Sequence, residues 1–387
     1  MAAALISATG NPQGLMTTNP QFNLTGLYHM YVTGQTRMFN YGDTGPNKYT
    51  ATANGMMFYG KFFDIPEYIL FQRDRSDAPE PMSMLYYDPQ VEGDFWYNLA
   101  LDHYFDEIFD AWVSMRGSWT NTNALYVAMK ASQLTGHQTH GDLDVGDFVL
   151  DALGQRWAGE LGSGNYLADG YFSSEDQDSE RWWYYRKRTE GQNTLTQNYG
   201  NQLVDGTPSN TYGSTGEAQD ELNYTPATTS TAFFVTDMTS FYNSTNVQRG
   251  IRLLNGRRQV LLRDEIDVSG NFMWRMNTNA TVEMGANNQT ATLSLGGETL
   301  EVQLRSPADA TFTVLPPTPL PGAPTLDGGE YSHNMENEGV SVLAVELTTE
   351  GSQVIEVLFN PQWSDFDSFQ TPPDVALADW SLTSHQA

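Results

Sequence analysis

From about residue 104 onward the chain is a succession of short apolar segments cut by turn signals, and this texture limits the fold more than any other feature. Thr231–Val235, Arg258–Arg263, Ala291–Leu295 and Val340–Leu347 are rich in residues that suit a pleated, half-buried surface. Asn255-Gly256, Ser269-Gly270 and Gly296-Gly297 punctuate the stretches between them. Many short strands at this spacing predict a large antiparallel sandwich. Ala124–Lys130 reads as a strand. Phe148–Leu153 and Arg156–Leu161 read as a hairpin around Gly154-Gln155, with a helix as the competing reading, because periodicity alone does not separate the two. Residues 1–103 differ. Gly55–Phe63 spreads apolar and aromatic groups over a broad helical face, and Ile65–Phe71 reads as a second helix with Pro66 in its first turn. The expectation is an α+β, multidomain chain: helical over 1–103, antiparallel β over 104–387.

Charge excludes some functions. The 19 basic residues face 47 acidic ones, a net charge of −28. Nucleic-acid binding is not expected, since phosphate neutralisation needs a basic face. No apolar run approaches the roughly 20 residues that span a bilayer, so no membrane partner is expected. The first ten residues lack a basic region and make a poor signal peptide. The absence of cysteine excludes disulfides and thiolate metal sites.

Three places could carry chemistry. The first is His137–Asp147, with two imidazoles and three carboxylates in about a dozen residues, in a chain of only six histidines. His and carboxylate suit a divalent ion. The Asp142–Asp147 run hints at calcium without forming an EF-hand loop. The competing reading is a polar turn whose aspartates cap backbone donors. The second is Arg181–Leu195. As a strand it would place Trp182, Tyr184, Arg186 and Arg188 on one face. Aromatic rings stack on sugars and guanidinium groups bind carboxylate or sulfate; equally, the arginines could lie over the aromatics as a structural face. The third is Phe39–Asp43 together with Arg116–Trp119, each readable as loop and turn chemistry.

In order along the chain, Phe39-Asn40-Tyr41-Gly42-Asp43, Arg116-Gly117-Ser118-Trp119, His140–Trp157, Glu160-Leu161-Gly162 and Arg188–Leu195 resemble the heparinase II/III-like polysaccharide lyases, most closely over 104–200. The resemblance implies a partial α/α-toroid followed by a large antiparallel β-sandwich. It implies β-elimination on uronic-acid polysaccharides such as alginate, glucuronan or glycosaminoglycan-like chains. Removing the C5 proton of a uronate builds negative charge beside a carboxylate, so that carboxylate must be neutralised. One group takes the proton and another gives one to the leaving oxygen. By position in the motif His140 is the catalytic imidazole, and Arg116, Arg186, Arg188 and Asn40 are expected to bind substrate. The family's metal, often zinc, would fall on Asp142, Glu160 and Gln192. That oxygen-only set suits manganese or calcium better, in a structural role beneath His140.

One departure bears on activity. The family's catalytic Tyr and its Asn-His pair lie far upstream of the motif histidine, and only 139 residues precede His140. The chain is therefore expected to be a lyase or the C-terminal portion of one, lacking the Tyr/Asn/His half of the site. Its incomplete toroid is expected to expose apolar surface and favour a homo-oligomer. A secreted or periplasmic location is expected by resemblance. The alternatives are a non-catalytic protein that binds acidic polysaccharide, and a uronate epimerase.

Overall fold

The computed structural model describes all residues except 1, 20, 46–52, 76–80, 327 and 387. Among the described residues the α-helices are Ala2–Thr9, Thr25–Val32, Ala53–Phe63 and Pro66–Arg73, all ahead of the sheets. The last two match the expected helices, with Pro66 in the first turn, where its missing N–H costs nothing. The helix at 25–32 lies close against the one at 66–73. A Cβ on Gly26 would stand 2.5 Å from the Tyr68 ring, and the Tyr68 hydroxyl donates to the Asn23 carbonyl at 2.7 Å. No helix among the described residues is long and apolar enough to cross a membrane.

The rest is antiparallel. A five-stranded sheet runs in sequence order through His103–Phe105, Trp112–Arg116, Tyr126–Lys130, Phe148–Ala152 and Gln155–Ala158. The expected hairpin is present. Leu153 and Gly154 turn with φ of 56° and 70°, the left-handed pair that matches strand twist in a two-residue loop. An eight-stranded sheet has Gly351–Pro361 and Gln259–Val268 at its centre, and a four-stranded sheet is built on Phe272–Thr278 and Ser341–Leu347. The chain is thus of the expected α+β class, a few helices followed by an antiparallel sandwich.

The five-stranded sheet is buried on both faces. Side chains alternate across a strand, so Val127, Met129 and Leu150 enter the sandwich core with Leu262, Val357 and Trp274. Tyr126, Ala128 and Val149 face the other way, onto Tyr31, Leu70 and Phe71 of the helices.

Residues 181–188 correct the sequence reading. They form no strand but successive 3-10 turns, Glu180–Trp183, Tyr185–Lys187 and Thr189–Gly191. Ser179 starts the first by accepting the Arg181 N–H at its hydroxyl. The arginines then satisfy loop carbonyls: Arg181 Nε donates to Gly141 O at 2.9 Å, and Arg188 donates to Trp182 O at 3.0 Å. Trp182, Tyr184, Arg186 and Arg188 therefore share no face.

Candidate active site

His140 sits in the loop between the strands Tyr126–Lys130 and Phe148–Ala152. The turn ahead of it is strained: Gln138 and Thr139 both have φ near 60°, unusual for a β-branched residue. Glu175 holds that turn. Its carboxylate accepts backbone N–H groups from Gly136, His137 and Thr139 at 2.7, 3.0 and 2.7 Å. A second loop, 39–44, closes on the same place. Asp43 N–H donates to His140 O at 3.0 Å. Gly42 allows this approach, since its φ is 63° and a Cβ there would meet His140 O at 2.8 Å.

The result is an open cleft of about 320 Å³, lined by Tyr41, Asp43, Asp110, Lys130, His140 and Tyr166 among others. The His140 side chain is 51 % exposed, and its Nδ1 lies 3.1 Å from the buried carboxylate of Asp43. Burial would raise the Asp43 pKa, but Lys187 and Arg181 outweigh it and hold the carboxyl below its ordinary range. An anionic Asp43 fixes the proton on Nδ1 and leaves Nε2 with a free lone pair. Tyr166 is 48 % exposed, with its ring 6.1 Å from that of His140. Burial, then Asp43, raises its pKa and keeps the phenol protonated. Tyr41 is tied down by bonds to the Tyr28 hydroxyl at 2.5 Å and to Asp110 at 3.2 Å. Lys130 is committed to Asp144, with both oxygens at 2.8 Å.

The other expected residues lie elsewhere. Arg116 is buried in the core, its guanidinium 3.6 Å from the centre of the Trp119 ring and bonded to Tyr31 O and Thr33 O. Arg188 is buried against Glu190 at 2.8 Å. Arg186 spans Ser163 O, Glu336 O and Asn337 at 2.9–3.0 Å. Asn40 is buried and donates to Glu160 O at 3.3 Å. None of the four lines the His140 cleft. Sequence reasoning missed Glu175, Tyr166 and Tyr171.

Glu160 and Gln192 each keep one buried oxygen without a hydrogen-bond partner, but the Asp142 oxygen that would complete a metal site with them is taken by a cation. Asp142 Oδ1 is engaged by Lys187 Nζ at 2.6 Å. Gln192 turns its amide nitrogen, not its oxygen, toward Asp142, because that nitrogen donates to Arg186 O at 2.8 Å. Glu160 accepts Gly162 N–H at 2.9 Å, and burial, with Asp147 adding to it, raises its pKa well above the ordinary value. Among the described residues no group of three or more His, Asp and Glu side chains is placed to hold a metal.

A half-exposed imidazole oriented by a buried carboxylate, where helices meet an antiparallel sandwich, defines a chain with the parts of a proton-transfer site. Residues 111–355, more than half of the chain, match the family described as heparinase II/III-like, C-terminal, and the chain belongs to that family of polysaccharide lyases. Its fold is similar to a mutant of heparan sulfate lyase HepC from Pedobacter heparinus, with TM-score 0.60 and 15% identity over 92% of this chain and 48% of that one. It is also similar to a structure named Heparinase III, with TM-score 0.55 and 12% identity over 89% of this chain and 49% of that one. The chain thus spans about half the length of these structures. No curated protein sequence matches it.

Proposed function

We propose that the chain supplies the His140 side of a lyase site that cleaves a uronic-acid polysaccharide by β-elimination, outside the cytoplasm where such polymers are met. His140 Nε2 takes the C5 proton, Asp43 stabilises the imidazolium that results, and the Tyr166 phenol returns a proton to the leaving glycosidic oxygen. The C4–O bond breaks as the C4=C5 double bond forms. The observation that carries this reading is the exposed imidazole held at Nδ1 by Asp43 on the wall of an open cleft. The lysines nearest the cleft, Lys130 and Lys187, are engaged by carboxylates.

The test is ultraviolet absorbance of unsaturated uronate on mixing the purified chain with alginate, glucuronan or heparan sulfate. Product that disappears in His140→Ala, with folding intact by circular dichroism, supports the reading. Tyr166→Phe is expected to lower the rate at least about tenfold. Absence of product with every polymer, or activity that survives His140→Ala, overturns it.

A further inference from the structure

The mismatch between the expected metal ligands and their surroundings has a positive side. Lys187 and Arg181 are both fully buried. Lys187 Nζ lies 2.6 Å from Asp142 Oδ1, 3.3 Å from Asp43 Oδ1 and 3.1 Å from the Gly42 carbonyl. Arg181 reaches the same two oxygens at 3.6 and 3.1 Å, and its other nitrogens donate to Gly141 O and Tyr171 O. Two cations thus face these two carboxylates, and the ammonium occupies the Asp142 oxygen that a metal ion would need.

We propose that the Lys187 ammonium, backed by the Arg181 guanidinium, stands in place of the divalent ion that the family resemblance sets beneath the motif histidine. The cation and the imidazole are joined through one residue. Asp43 takes Lys187 and Arg181 on Oδ1 and His140 on Oδ2. The support for His140 is therefore made of side chains of this chain alone, and the site is independent of metal supply and indifferent to chelators. The inference rests on family membership and this geometry, not on the proposed elimination, so it survives if no product is found.

The experiment is elemental analysis of the full chain after dialysis without chelator. It is paired with thermal unfolding in EDTA and in excess zinc, manganese or calcium. The expected result is far below one equivalent of any divalent metal and the same Tm in every condition. One equivalent retained through dialysis, or a Tm that falls by several degrees in EDTA, overturns the proposal. A second measurement uses Lys187→Met, which removes the charge and keeps most of the volume. The expected Tm is lower by several degrees, as Asp142 loses its nearest cation. A Lys187→Met protein as stable as the parent would show that the ammonium does not perform this role.

Discussion

Asp43 gathers four donors from three separate stretches of chain: the His140 imidazole, the Tyr171 phenol at 2.5 Å, and Arg181 with Lys187. Asp43→Asn keeps the shape and removes the charge that two buried cations require. Breaking a buried pair on one side costs about 3–5 kcal/mol, and a loss of that order is expected in urea denaturation; an unchanged midpoint would refute the role. A second residue pair sets a pH dependence. Burial raises Glu160 well above its ordinary value, with Asp147 and Asp142 adding to the shift, and burial pushes Asp147 up to about 7. Both folded values lie above the unfolded range near 4, so the folded state binds protons at these two carboxyls more tightly. The resulting stabilisation is complete below about pH 4 and is lost as pH rises through about 7. Stability is expected to fall between about pH 5 and 8, and Glu160→Gln, whose amide donates without a titrating proton, is expected to flatten that slope. Equal slopes for the two proteins would show that this pair does not set it. At this scale the sequence exposed His140, because two imidazoles among three carboxylates stand out in so acidic a chain. It hid the supporting groups, because Asp43, Tyr171 and Lys187 meet across more than 90 residues of chain, which local spacing does not encode.

Between elements, Arg249 is the principal fastener beneath the cleft. It grips Asp264 on the neighbouring strand at 2.7 and 2.9 Å and donates to Gly146 O and Asn193 O, both at 2.8 Å. Its strand, Val247–Leu254, and the neighbouring Gln259–Val268 are thereby fixed to the loop that leads from His140. Arg249→Met is expected to lose about 3–5 kcal/mol, and Arg249→Met with Asp264→Leu is expected to recover much of it, since no charge is then left unpaired. A double variant as unstable as the single one would contradict this account. Element types were legible where local chemistry is decisive. Pro66 marks a helix start, and Gly154 marks a hairpin, whose turn falls on Leu153-Gly154, one residue before the expected Gly154-Gln155. Residues 181–188 were not legible. Alternating aromatic and basic residues imitate the period of a strand, while the deciding interactions are side-chain bonds to distant carbonyls such as Gly141 O.

For the whole molecule, the helical segment leaves apolar groups in solvent. Met84, Leu85 and Tyr97 are 83 %, 61 % and 59 % exposed. Such a surface favours association, and the net charge of −28 opposes it until salt screens the repulsion. Light scattering is expected to show association that grows with ionic strength and is reduced by Met84→Ser with Leu85→Ser. Scattering independent of both would rule this surface out as its cause. The five-stranded sheet has a different consequence. Tyr126 and Val149 meet the helices while Val127 and Leu150, next to them on the same strands, meet the sandwich. Stripping away the first hundred residues would therefore peel one wall from the other's interior, and a protease would find no seam at which to leave both fragments intact.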